Sequence, residues 1–192
     1  MKKKVLVVVA HPDDELLWMG GTLLKNKDDW DTTIISLCRT DDKDRSPKFQ
    51  KVCKEYNAKC FMSDLEDKQL DDVSTEEVIA RIKEFAERDY DYIFTHGANG
   101  EYGHKRHKDV NRAVVAMLRA KELRAKKIFF FDYEKRGNIA VAREKSDKFI
   151  KVNINLLNKK KDLIVNVYGY PLNSFEERCC RAEESFKIEK QK

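Results

Sequence analysis

The stretch Val5-Leu6-Val7-Val8-Val9-Ala10-His11-Pro12-Asp13-Asp14-Glu15 decides the fold. Its first six residues are aliphatic, without the polar alternation of a half-exposed strand. That pattern predicts a strand covered on both faces, the kind found in parallel sheets sandwiched between helices. The run stops abruptly at an imidazole, a stiff proline and three acids. Residues 15–26 then read as a helix, with Leu16, Leu17, Leu23 and Leu24 as its buried side. A turn this rich in chemistry, set after a buried strand, lies at the carboxyl edge of the sheet, where ligands bind in open α/β folds.

Outward from this unit, strand and helix alternate. Residues 32–38, 60–63, 92–95 and 128–133 read as strands. Ser46-Pro47 opens a helix to about residue 56, with a capping hydroxyl and proline at the first helical position. Ser74-x-x-Glu77 is a capping box, with Val73 and Val78 as its hydrophobic staple, and the helix presents Val78, Ile82 and Phe85. Residues 106–119 form the clearest helix, because Val110, Ala113, Val114, Met117 and Leu118 share one face. Beyond 133 the alternation weakens. Residues 138–142 and 148–153 are expected as a hairpin or edge strands, and 156–167 and 175–187 as helices. The sum is one α/β domain over residues 1–192: three layers, a mainly parallel sheet and a less regular C-terminal third.

Composition excludes several classes. With 41% hydrophobic and 10% aromatic residues, the 192-residue chain builds a core without staples. It has 39 Lys and Arg against 34 Asp and Glu, a net +5 of mixed sign, and no basic block interleaved with aromatics. Nucleic acid is therefore not an expected partner, and Lys159-Lys160-Lys161 reads as a solvated turn or helix end. No apolar run approaches the roughly 18–20 residues of a membrane span, so a cytoplasmic location is expected. Five cysteines, without Cys-x-x-Cys, exclude a disulfide scaffold or a cysteine-rich zinc module. Cys38 reads as a small buried hydrophobe. Of the adjacent Cys179 and Cys180, one is expected to pack and the other to face solvent.

All four histidines fall beside two strand ends: His11 after the first strand, and His96, His104 and His107 after the fourth. The second cluster is Gly100-Glu101-Tyr102-Gly103-His104-Lys105-Arg106-His107. His104 and His107 are three apart and share a helix face. Together the clusters supply two imidazoles and one carboxylate for a cation, with a position open to water. A second carboxylate and a spare imidazole remain beside it. Nitrogen and oxygen donors without thiolate are a catalytic zinc set, suited to hydrolysis by activated water.

Ala10-His11-Pro12-Asp13-Asp14-Glu15, then Gly20-Gly21-Thr22, then Gly-Glu-Tyr-Gly-His-x-x-His at residues 100–107, resembles the PIG-L/LmbE-like zinc-dependent N-deacetylases. The resemblance covers residues 3 to about 133 and implies a Rossmann-like fold. It implies His11, Asp14 and His107 as ligands of one Zn2+ per chain, other divalent ions being acceptable to such a site. It implies Asp13 as general base, His104 as the imidazole serving the tetrahedral intermediate or the leaving amine, and Tyr102 as a hydroxyl reaching the oxyanion. The implied substrate is a small N-acetylglucosamine-type amino sugar derivative. Arg45 stands where the family often has a substrate-contacting arginine. Asp41, Asp42 and Asp64 lie at carboxyl ends of strands and are further candidate substrate contacts, and Tyr168 and Tyr170 a candidate face for a sugar ring. One departure concerns Arg106, where the family usually has an acid. With Lys105 it is expected to disfavour a charged His104, leaving Asp109 as the nearest compensating acid. The readings left open are an amidohydrolase on another N-acyl compound, a metal-dependent phosphoesterase and a non-catalytic sugar-binding protein. A second copy of the chain is a candidate partner, supplying loops that this short chain lacks.

Overall fold

The computed structural model describes residues 1–190. Its elements run β1 (Lys3–Val9), α1 (Asp14–Asn26), β2 (Trp30–Ser36), α2 (Arg45–Glu55), β3 (Lys59–Met62), α3 (Thr75–Lys83), β4 (Asp89–Thr95), α4 (Lys105–Arg119) and β5 (Arg124–Phe131). After them come β6 (Tyr133–Arg136), β7 (Ile139–Ala142), β8 (Lys148–Lys151), α5 (Ile154–Asp162), a π-helical turn (Leu163–Val167), α6 (Phe175–Cys179) and β9 (Glu183–Glu189). The main sheet has the order β3-β2-β1-β4-β5-β9-β8. Its first five strands are parallel, and β9 and β8 extend it antiparallel. The chain builds outward from β1 to β2 and β3, then returns to β1's other side for β4 and β5. This reversal between β1 and β4 opens a crevice at their carboxyl ends.

Burial follows the pleat of β1. Val5, Val7 and Val9 join Leu16, Leu17, Trp18, Phe49 and Phe186 on one face. Leu6, Val8 and Ala10 join Val78, Ile82, Val110 and Val114 on the other. The unbroken aliphatic run of β1 thus serves two cores. The expected stripe of α4 is buried from Val110 to Leu118, and Ser74 Oγ accepts from the Glu77 amide at 3.0 Å, as the capping box predicts.

The last third departs from expectation. Residues 175–187 are not one helix: α6 stops at Cys179, and β9 pairs with β5 and β8. Tertiary packing decides this, because Phe186 fits against Phe94 and Phe129 at centroid distances of 5.5 and 6.0 Å. Residues 139–142 and 148–151 are strands but not each other's partners, since β7 pairs with β6 and β8 with β9. Residues 156–167 continue from α5 into the π-helical turn. Cys179 and Cys180 are both buried, contrary to the split expected of a continuous helix, because the helix ends between them. Among the described residues no helix is long and apolar enough to cross a membrane.

Candidate active site

The turn after β1 is held in a conformation its residues would not choose. Asp13 has φ 126°, a strained value for a residue with a side chain. Its amide donates to Glu15 Oε2 at 3.0 Å, and its carbonyl accepts from the Leu16 and Leu17 amides at 2.9 Å. Glu15 lies behind the turn, fully buried, its other oxygen accepting from the Tyr168 hydroxyl at 2.8 Å. Burial pushes its carboxyl up to about 8 against the pull of Tyr168. Tyr168 is therefore a prop beneath the turn, not a face for a sugar. Asp14 is aimed by the Trp18 Nε1 and His11 backbone donors, both at 2.8 Å.

Three side chains expected to share a cation converge. His11 Nδ1 lies 3.2 Å from His107 Nε2 and 3.2 Å from one Asp14 oxygen, and His107 Nε2 lies 3.3 Å from the other. Asp14 meets the two imidazoles with different oxygens, and the donor atoms also group as His11, His104 and His107 and as Asp14, His96 and His107, so the cluster offers nitrogen and oxygen donors for one cation. Burial opposes charging Asp14, yet His107 and His96 hold its carboxyl well below the usual range. Burial lowers His107, favouring the neutral ring that can ligate. Burial also resists a charge on His11, but hydrogen bonds to Asp14 and Asp67 outweigh it and lift the ring to about 10. A cation therefore competes with a proton at this position.

Two groups that the sequence reading left without a role complete the wall. Glu101 Oε2 lies 2.5 Å from His107 Nδ1 and 2.8 Å from His96 Nδ1, and its Oε1 accepts from the Gly97 amide at 2.8 Å. With the Nδ1 proton bonded to Glu101, the lone pair of His107 Nε2 points at Asp14 and His11, the carboxylate–histidine arrangement of metal sites. His96 stacks on His107 at 3.9 Å between centroids. The Ala10 amide donates to His96 Nε2 at 2.9 Å, and the ring is buried between Glu101 and Asp14. His96 buttresses the cluster, and with Asp14 and His107 it forms a further grouping of donor atoms.

Asp13, His104, Tyr102 and Arg45 share a cleft of about 180 Å³ with His11 and Asp14. Burial and neighbouring Asp14 push Asp13 up to about 7, while Arg45 and the Tyr170 hydroxyl pull it down. Arg45 Nη1 donates to Asp13 Oδ2 at 3.0 Å, and Tyr170 donates to the same oxygen. Arg45 also stacks on the Tyr170 ring, 4.8 Å from its centroid. His104 caps α4, and its Nδ1 is buried without a partner. Burial, then His107 and His11, depress it to about 4, so the ring is neutral near pH 7. The Tyr102 ring packs on Phe175 and faces His104, at 4.8 and 5.7 Å. Three other expected substrate residues lie outside this cleft. Asp41 pairs with Lys68 at 3.1 Å and Asp64 with Arg81 at 2.6 Å. Asp42 accepts from the Asp44 and Arg45 amides at 2.9 Å, capping α2.

Position 106 corrects a second expectation. The Arg106 side chain is fully buried and turns away from His104, toward Glu66, Asp71 and Asp109. Asp109 serves Arg106 and Arg112 and makes no compensating contact with His104. Burial and the neighbouring imidazoles, not the cations at 105 and 106, discharge His104. Asp67 was also missed. Its Oδ1 lies 3.0 Å from His11 Nε2, and its Oδ2 accepts from Arg39 Nη2 at 2.6 Å. Only its loop position after β3 hinted at this.

The fold is shared with solved proteins. The conserved protein TT1542 from Thermus thermophilus superposes with a TM-score of 0.68 at 17% identity, covering 96% of this chain and 94% of that one. The N,N'-diacetylchitobiose deacetylase of Pyrococcus horikoshii gives 0.66 at 18% identity, with 98% and 84% covered. GalB of Pseudomonas putida, a 4-carboxy-2-hydroxymuconate hydratase, gives 0.65 at 12% identity over 94% and 83%. The same architecture therefore carries more than one reaction. No curated protein matches the chain by sequence. Residues 6–118 do match the PIG-L family, described as GlcNAc-PI de-N-acetylase, and they span both clusters and every strand that positions them. The chain belongs to the PIG-L family.

Proposed function

We propose that the protein is a metal-dependent deacetylase that removes the N-acetyl group of an N-acetylglucosamine-type amino sugar derivative. The observation that carries this reading is the convergence of His11, Asp14 and His107, with Asp13 beside His11 and Asp14 in one cleft. A divalent cation on those three residues supplies a lowered water pKa and polarises the amide carbonyl. Asp13, raised to about 7, is ionised enough to take the proton of the attacking water and acidic enough to return it to the departing amine. The neutral His104 ring and the Tyr102 hydroxyl face the carbonyl oxygen and donate hydrogen bonds as negative charge develops there. Arg45 and Tyr170 hold the reactive Asp13 oxygen in place. The cleft is smaller than the roughly 300–1,000 Å³ of ordinary ligand pockets. It suits an acetamido group at one end of a substrate whose remainder lies outside.

Acetate release from a panel of N-acetylglucosamine conjugates, with zinc removed and restored, tests the proposal. Zinc-dependent acetate from at least one conjugate is expected. Phosphate release that needs two metal equivalents would favour a phosphoesterase. Sugar binding without acetate under any metal would favour a binding protein.

A further inference from the structure

The segment from Glu66 to Asp72 has no regular structure, yet it is fastened along its length to the start of α4. Arg106 holds it with all three guanidinium nitrogens engaged. Nε donates to the Glu66 carbonyl, and Nη2 donates to Glu66 Oε2 at 2.6 Å and to the Asp71 carbonyl at 2.7 Å. Nη1 donates to Asp109 Oδ2 at 2.6 Å, anchoring the guanidinium to its own helix. Lys105 adds bonds to the Leu70 carbonyl and Asp72, both at 2.6 Å. Within the loop, the Glu66 carboxylate accepts from the Gln69 and Asp71 amides at 2.6 and 2.9 Å. A fully buried arginine with this many directed contacts has a fixed geometry, because its fork cannot satisfy them in another position.

What the loop carries is Asp67. Its Oδ1 receives a hydrogen bond from His11 Nε2 at 3.0 Å, and Arg39 grips its Oδ2 through Nε at 3.0 Å and Nη2 at 2.6 Å. With its Nε2 proton bonded to Asp67, His11 turns the lone pair of Nδ1 toward Asp14 and His107. Asp67 therefore does for His11 what Glu101 does for His107. The convergence of His11, Cys38 and Asp67 is not a second cation site. Arg39 already occupies Asp67, and burial pushes the Cys38 thiol far above its usual range.

We infer that Arg106 and Asp67 are positioning residues for the cation site. Arg106 clamps the 66–72 loop, and the loop presents Asp67, which fixes the orientation of His11. This rests on the proposed cation at His11, Asp14 and His107. It gives Arg106 a part in the reaction although its side chain never enters the cleft.

The test is zinc affinity, measured by chelator competition on the full chain for four proteins: native, Asp67→Asn, Arg106→Gln and the double variant. Residues that orient metal ligands typically contribute ~10–100-fold to affinity. Asp67→Asn is expected to weaken zinc binding within that range. Arg106→Gln is expected to weaken it also, and the double variant no further than Asp67→Asn alone, because Arg106 acts through Asp67. A structural role alone would lower the melting temperature and leave affinity unchanged, or give additive losses, and either result overturns the inference. Should Arg106→Gln fail to fold, Arg106→Gln with Asp109→Asn removes the stranded charge and takes its place in the cycle. A native protein that binds no zinc would overturn the function proposed above. Native binding with unchanged affinity in Asp67→Asn would overturn only this inference.

Discussion

Asp13 and Asp14 are neighbours with different tasks, and the difference lies in what each one faces. Asp14 is aimed by Trp18 into the histidine triangle, whereas Asp13 points into the cleft against Arg45 and Tyr170. Asp13→Asn is expected to keep one bound zinc and lose ~10²–10⁴-fold in kcat, the usual contribution of a general base. Asp14→Asn is expected to lose the metal, and metal analysis of the two variants checks the assignment. The Tyr170 hydroxyl stabilises ionised Asp13, so Tyr170→Phe removes a pull that lowers its pKa. The base works only when ionised, and the acidic limb of kcat/KM is expected at higher pH in Tyr170→Phe than in the native protein. A pH–rate comparison of the two reads this directly. Residue type and strand-end position marked the two clusters in the sequence, and the family resemblance singled out His11, Asp14 and His107 within them. Neither exposed the roles of Glu101, His96 or Asp67. A carboxylate between glycines reads as an ordinary loop charge, and the 56-residue separation of Asp67 from His11 leaves no local signal.

At the scale of elements, the loop that opens α4 does the positioning. Gly100 has φ +65°, and a Cβ there would come within 2.7 Å of the His104 carbonyl oxygen. Gly100→Ala is expected to cost ~1–3 kcal/mol, through strain and through the required shift of the loop. That shift also displaces Glu101, so kcat and zinc affinity should fall with stability, measured by urea unfolding and metal titration. The alternation of strand and helix through residue 131 was legible because each element buries its own periodic face. β9 was not: Phe175 to Lys187 has helical spacing, and packing on Phe94 and Phe129 with pairing to β5 and β8 makes its second half a strand. Cooperative pairing with β5 outweighs local preference there.

The whole molecule is tied together behind the site by one buried ion pair. Glu184 of β9 accepts from the Gly21 and Thr22 amides at 2.7 and 2.9 Å, from Thr22 Oγ1 at 2.6 Å and from Lys160 Nζ at 2.7 Å. It thereby joins the C-terminal third to the kink of α1 at Met19. A side chain at Gly21 would collide with Val152 at 2.5 Å, and one at Gly20 would meet Leu16 at 2.8 Å. Glu184→Gln strands the charge of Lys160 and is expected to lose roughly 3–5 kcal/mol in urea unfolding. Lys160→Met with Glu184→Gln should recover part of that loss. In the proposed function, one cation on His11, Asp14 and His107 works with Asp13 to hydrolyse an N-acetyl group. Titrating zinc into chelator-treated protein, while acetate release from an N-acetylglucosamine conjugate is followed, tests it most directly. Activity is expected to rise linearly to one equivalent and then level off, with Asp13→Asn binding the same equivalent and releasing almost no acetate. Full acetate release from the metal-free protein, or none at one equivalent from any N-acetylated sugar, would contradict it.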